Sequence, residues 1–172
     1  IIAVGAYRSD PDGTHDAGAT YLYRLEANGS NTFITKLFAP DKGVSDEFGK
    51  SVSLSGSIVA VGVPGDDPNG TSNAGSVYLF KLEDNGSSTF LSKVTAPDKA
   101  ANDYFGLSIT QSGNVLAVGA NASDQDGISN SGAIYLYRLE ANNSAIFLSK
   151  VTAPDKAASD HFGGSISNSG SI

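Results

Sequence analysis

The sequence contains no cysteine, methionine or tryptophan among its 172 residues. Without cysteine, a disulfide framework, a thiolate metal site and a cysteine nucleophile are all excluded. No apolar run approaches the roughly 20 residues of a membrane-spanning helix, so we expect no membrane insertion. No segment carries a helical apolar stripe, because glycine and β-branched residues interrupt every candidate. An all-β protein is therefore expected.

Basic residues are also scarce. The chain has 11 lysines and arginines against 18 aspartates and glutamates, which gives a net charge of −7. Nucleic-acid binding requires clustered lysine and arginine, so nucleic acid is excluded as a partner. The acidic composition suits a soluble surface or a hard cation such as calcium.

Internal repetition, with a period of 57 residues, is the most prominent property of the chain. A Phe-Gly pair and an Ala-Val-Gly stretch each occur three times at that interval, as Phe48-Gly49, Phe105-Gly106 and Phe162-Gly163, and as Ala3-Val4-Gly5, Ala60-Val61-Gly62 and Ala117-Val118-Gly119. The predicted repeats are 1–57, 58–114 and 115–172, each preceded by the Phe-Gly strand of its own blade. The chain begins in mid-unit without methionine, so we expect a fragment or a part of something longer.

Each unit predicts four short strands separated by polar turns. The predicted strands are 1–6, 19–25, 32–38 and 48–55 in the first unit, 58–63, 76–82, 89–95 and 105–110 in the second, and 115–120, 133–139, 146–152 and 162–167 in the third. Four strands at a fixed period favour β-propeller blades built as four-stranded antiparallel meanders. Because propellers typically have four to eight blades, three repeats predict a partial or oligomerically completed propeller.

The Phe-Gly pairs are interpreted as the packing between blades. Phe48, Phe105 and Phe162 are expected to fill the wedge between neighbouring blades. Their partners Gly49, Gly106 and Gly163 are expected to allow close approach of two backbones.

These motifs resemble the FG-GAP repeats that build the seven-bladed propeller of integrin alpha chains. They are closer still to the long-period FG-GAP repeats of bacterial surface and secreted proteins. The matching elements are the three Phe-Gly pairs, the Val-Gly-Ala/Val elements at 4–6, 61–64 and 118–120, and the Gly-x-x-Tyr pairs Gly18/Tyr21, Gly75/Tyr78 and Gly132/Tyr135. The resemblance covers the whole chain and implies an extracellular or cell-surface location.

An Asp-rich loop follows each Ala-Val-Gly strand. Its candidate metal ligands are Asp10, Asp12 and Asp16, then Asp67, Asn69 and Asn73, then Asp124, Asp126 and Asn130. Carboxylate and amide oxygens around a glycine turn are what calcium prefers. The loop lacks a first ligand, and in integrins the cation loop precedes the GAP strand instead of following it. Two interpretations stay open: a calcium site, favoured in the first copy, or a loop of Asx turns.

A second acidic loop precedes each Phe-Gly pair. It carries Asp41 and Asp46, Asp98 and Asp103, and Asp155 and Asp160. In an antiparallel meander both kinds of loop share one face, which predicts either an acidic ligand-binding face or a solvated rim. Lys36, Lys93 and Lys150 are interpreted as outer-edge charges that discourage strand addition.

Five sequons for N-glycosylation are present, at Asn28, Asn69, Asn85, Asn121 and Asn142. The positions Asn28, Asn85 and Asn142 are in register at predicted hairpins. Ordinary Asn-Gly turn chemistry is the alternative interpretation at Asn28 and Asn85.

The repeated acidic residues do not indicate an enzyme, because no single position is singled out, and neither a nucleophile elbow nor a phosphate-binding loop is present. Two functions stay open. One is a non-catalytic extracellular module for adhesion that binds a protein or glycan ligand. The other is a structural subunit that self-assembles through its open blade ends into a filament or surface layer. Its partners are then further copies of itself or further repeats of a longer chain.

Overall fold

A computed structural model describes residues 1–142 and 144–169 of the chain. Within these residues the strands form three antiparallel sheets, and the helical content is limited to two 3-10 turns, Pro11–Gly13 and Pro68–Gly70. The expectation of an all-β protein is confirmed.

Strands that are neighbours in sequence are neighbours in each sheet. The first sheet contains β1 (Ile2–Ala6), β2 (Ala19–Leu25) and β3 (Asn31–Leu37). The second contains β4 (Ser51–Ser55), β5 (Ile58–Val63), β6 (Ser76–Leu82) and β7 (Ser88–Val94). The third contains β8 (Ser108–Ser112), β9 (Val115–Ala120), β10 (Ala133–Leu139) and β11 (Ala145–Val151). The second and third sheets are four-stranded meanders, in agreement with blades.

The predicted Phe-Gly strands begin too early. In the structure β4 begins at Ser51 and β8 at Ser108, so both Phe-Gly pairs lie in turns before these strands. Gly49 and Gly106 have φ of +89° and +92°, which the extended backbone of a strand does not allow.

The strand predicted over 162–167 was wrong for the described part of the chain. Phe162 forms a single parallel bridge to Gly132, and no strand follows it up to residue 169. The reason lies in the pairing of the other copies. β4 and β8 each pair with the strand that follows them in the chain, and residues 165–169 have no such following strand among the described residues.

The sheets stack face to face with the cores between them. Leu22 and Leu37 of the first sheet pack against the face of the second that carries Val59 and Val61. The opposite face of the second sheet packs against the third in the same way. Alternate residues of a strand point to opposite faces, so a strand covered on both sides must be apolar throughout. The continuous apolar run of β5 has this cause.

Candidate functional surfaces between the sheets

The Phe48-Gly49 turn joins the first two sheets. Phe48 is fully buried, and its ring meets those of Tyr78 and Phe80 edge-on, with centroid distances of 5.8 and 6.0 Å. Its backbone N–H donates a hydrogen bond to the carbonyl of Ala17, at 2.9 Å. The turn is therefore attached to the first sheet while its side chain packs on the second.

Gly49 lies where the backbones of the two sheets meet. Its N–H donates to the carbonyl of Gly62 in β5, at 3.1 Å. On its other side, its carbonyl oxygen occupies the place that a Cβ on Gly5 of β1 would take. Neither Gly5 nor Gly49 has room for a side chain.

The same arrangement recurs one unit later. Phe105 is fully buried against Tyr135 and Tyr137, with centroid distances of 5.5 and 6.2 Å, and the N–H of Gly106 donates to the carbonyl of Gly119, at 2.9 Å. The third copy, Phe162 and Gly163, lies on the third sheet, where Gly163 accepts a hydrogen bond from the hydroxyl of Ser108 at 2.5 Å.

A polar contact also joins neighbouring sheets, and we call it the inter-sheet latch. Asp41, in the loop after the first sheet, accepts hydrogen bonds from the Tyr78 hydroxyl at 2.6 Å and the Lys93 ammonium at 2.9 Å. The second latch consists of Asp98, Tyr135 and Lys150, with both distances at 2.8 Å. Each latch thus takes its carboxylate from one sheet's loop and its two donors from the next sheet.

The hydrogen bonds of the latches shift the pKa values of their own carboxyl and phenol groups. Burial raises the pKa of the Asp41 and Asp98 carboxyls, but the hydrogen bonds from tyrosine and lysine outweigh it, so that both pKa values lie below the usual range. The pKa values of Tyr78 and Tyr135 are raised, first by burial and then by donation to a carboxylate. Both phenols therefore remain protonated donors.

Lys93 and Lys150 do lie on outermost strands, β7 and β11, but their ammonium groups also bind the latch carboxylates, a role that the sequence interpretation did not include. The sequence carries a signal that reveals this role, because both latches have Asp 37 residues before Tyr and 52 residues before Lys. Lys36 lies over the ring of Tyr21 at 5.3 Å, but no latch carboxylate reaches this pair within the described residues.

The two kinds of acidic loop lie together, as the meander predicts. A cavity of about 520 Å³ between the first two sheets is lined by Asp41, Asp46, Asp66 and Asn69 among others. Burial raises the pKa of Asp46, although its carboxylate accepts a hydrogen bond from the N–H of Gly43. Sequence reasoning missed the buried Asp66, which binds Lys93 at 2.8 Å, because the other copies have serine at this position.

Comparison with known families agrees with this architecture. The family described as FG-GAP repeat matches residues 32–80 and 89–137, which together are more than half of the chain. The chain belongs to the FG-GAP repeat family. Each match runs from the outermost strand of one sheet, through the Phe-Gly turn, into the third strand of the next. Curated proteins provide no match to the chain.

FG-GAP repeats are typically non-enzymatic modules and are commonly extracellular. Among the residues described for this FG-GAP chain, no helix is long and apolar enough to cross a membrane.

The Asp-rich loops of the FG-GAP chain are closed by their first carboxylate. Asp10 accepts a hydrogen bond from the N–H of Asp16 at 2.7 Å, and the same contact recurs from Asn73 to Asp67 and from Asn130 to Asp124. Over residues 1–142 and 144–169, no three acidic or histidine side chains converge as metal ligands. Calcium binding at these loops stays a prediction, as does binding of a protein or glycan ligand at the acidic face.

The in-register sequons lie in exposed hairpins. In each, the asparagine side chain accepts a hydrogen bond from the serine hydroxyl two residues later, at 2.7 Å for Asn28, Asn85 and Asn142. Asn69 lies in a 3-10 turn, and Asn121 directly follows β9. Glycosylation of these five positions stays a prediction.

Replacing Asp98 with asparagine tests the latch. Since the folded-state pKa of Asp98 lies below its ordinary value, its stabilisation is present above about pH 4 and is lost as the pH falls through the folded-state pKa. We expect Asp98→Asn to lower the free energy of unfolding by about 1 kcal/mol at pH 7, a modest value because the carboxylate is half exposed. The difference from the unmodified chain should shrink towards pH 3 in urea titrations.

Asp155→Asn is the matched control, because Asp155 has the same repeat position but makes no hydrogen bond within the described residues. At a dilution that keeps the chain monomeric, this change should cost less than about 0.5 kcal/mol. Equal costs for the two substitutions would show that the latch does not stabilise the fold.

Proposed function

We propose that this FG-GAP chain is a non-catalytic module of an extracellular or cell-surface protein, and that it acts by association. Its partners in this proposal are sheets of its own kind, which bind the two outer faces of the stack. The supporting observation is that residues buried at the internal sheet interfaces have exposed counterparts at both ends.

The first outer face belongs to β1. Val59 and Val61 of β5 are fully buried against the first sheet. Their counterparts one repeat earlier, Ile2 and Val4, are 42% and 47% exposed. The first sheet therefore presents to solvent the apolar surface that the second sheet buries.

The last outer face belongs to the third sheet. Val94 of β7 is 6% exposed, whereas its counterpart Val151 of β11 is 40% exposed. Inside the chain, the same kind of interface occurs twice, between the first and second sheets and between the second and third. The outer face of the third sheet corresponds to one side of this interface, and the outer face of the first sheet corresponds to the other side. Contacts of this heterologous kind join molecules head to tail, into a ring where the rotation closes and into a fibre where it does not. Either product is a structural or adhesive assembly, and burial of apolar surface would stabilise it.

Val4→Asp is expected to abolish association, because a carboxylate on the first outer face would be buried without a partner. In sedimentation velocity over a concentration series, the unmodified chain should form dimers or larger species, while Val4→Asp stays monomeric. Val44→Asp is the control, since Val44 is 68% exposed in a loop and belongs to neither outer face. A monomeric unmodified chain at every concentration would contradict the proposed function.

A further inference from the structure

Residues 165–169 have the position of an inner strand but no strand partner within the described chain. The hydroxyl of Thr110 in β8 donates to the Asn168 side chain at 2.7 Å. One repeat earlier, the Ser53 hydroxyl in β4 accepts a hydrogen bond from the N–H of Gln111 at 2.9 Å. Residues 165–169 therefore lie on β8 much as β8 lies on β4.

The strands β4 and β8, which have the same repeat position as residues 165–169, show which strand pairs with such a segment. β4 pairs with β5, with Val52 opposite Val61, and β8 pairs with β9. In the first sheet the counterpart of β5 is β1, which pairs with β2 and has no second neighbour among the described residues. Among the described residues, 165–169 therefore form an inner segment with no strand paired to it, and β1 has an edge with no inner strand paired to it.

We propose that residues 165–169 of one copy pair antiparallel with β1 of a second copy and give its first sheet a fourth strand. This inference rests on the proposed function and adds the register of the contact. The spacing of the repeats places Ser165 opposite Gly5, Ile166 opposite Val4 and Ser167 opposite Ala3. The N–H of Gly163 then faces the carbonyl of Gly5, as Gly49 faces Gly62 and Gly106 faces Gly119 within the chain.

A third latch forms at the same contact. Asp155 stands at the repeat position of Asp41 and Asp98, and it is exposed. The second copy supplies Tyr21 and Lys36, and the distance between them matches that of the corresponding pairs in the two internal latches. Lys36 lies 5.3 Å from the ring of Tyr21, and the internal distances are 5.0 and 5.2 Å. The carboxylate and its two donors are at opposite ends of the chain, so the latch favours head-to-tail contact over contact between like ends.

Engineered cysteines test the register, and the absence of natural cysteine makes the readout unambiguous. Chains carrying Ile166→Cys are mixed with chains carrying Val4→Cys and oxidised. Directly opposed residues of an antiparallel pair are close enough for a disulfide, so a covalent dimer with one chain of each kind is expected. The control pairs Ser167→Cys with Val4→Cys. There the side chains are one residue out of register and on opposite faces, so no such dimer is expected.

Sedimentation of the same mixtures before oxidation distinguishes association through the outer faces from pairing of residues 165–169 with β1. Association together with a disulfide in the in-register pair alone supports strand addition. Association with no disulfide, or with equal disulfide yields in both pairs, overturns strand addition and leaves association through the outer faces intact. Absence of association overturns both.

Discussion

Phe105→Ala is expected to lower the free energy of unfolding by about 3–5 kcal/mol. The ring is fully buried and belongs to the core that joins the second and third sheets. Tyr135 and Tyr137 hold it edge-on, and both are themselves buried, so the space that the ring leaves is walled by side chains that cannot collapse into it. The transfer cost and the cavity cost therefore add.

Urea unfolding followed by circular dichroism measures this effect under conditions where the chain is monomeric. Phe90→Ala is the control, since Phe90 is 43% exposed on an outer strand. Its loss should cost clearly less, about 1–2 kcal/mol, because part of its surface is already in water. Similar costs for the two substitutions would contradict the role of Phe105 as the packing between sheets.

Gly62→Ala is expected to cost about 3 kcal/mol or more, at or above the upper end of ordinary overpacking. Gly62 does not have a positive φ, so its backbone conformation would tolerate alanine. The added methyl group would overlap the carbonyl oxygen of Gly106 in the next Phe-Gly turn. That turn cannot move away easily, because the N–H of Gly106 is hydrogen-bonded to the carbonyl of Gly119 and the Phe105 ring is fully buried.

The matched control is Gly29→Ala, in an exposed hairpin where no atom lies near the added methyl group. Gly29 has φ of +83°, so alanine there pays only the cost of the left-handed backbone, about 1–2 kcal/mol. Denaturant titrations of both variants separate steric from conformational cost. If Gly62→Ala costs no more than Gly29→Ala, the close approach of the two backbones is not required for stability.

The bounds of many strands could be predicted from local sequence. β2, β5, β6, β9 and β10 have the predicted bounds, because alternating or continuous apolar residues between polar turns specify a strand without reference to its neighbours. The Phe-Gly turns were misplaced into strands because their conformation depends on another sheet. Gly49 turns with positive φ where it fits between β1 and β5, and nothing adjacent to it in the chain shows this.

The inter-sheet latches also depend on contacts between sheets, so they could not be predicted from local sequence. The sequence shows Asp41, Tyr78 and Lys93 as an acid in a loop, an aromatic in a strand and a charge on an outer strand. Their contact arises because stacking one sheet on the next brings together residues 37 and 52 positions apart. Asp66 could not be predicted in the same way. The other two copies have serine at its position, so the sequence suggests neutral variation, and only the structure shows that Asp66 is buried beside Lys93.

The sequence by itself determined the 57-residue period, the all-β character and the FG-GAP motifs, because these depend on residue type and local spacing. Tertiary structure alone decided which faces are covered. Val4 and Val61 are the same residue at the same repeat position, and one is exposed while the other is buried. Burial depends on whether a neighbouring sheet is present, which no local pattern encodes.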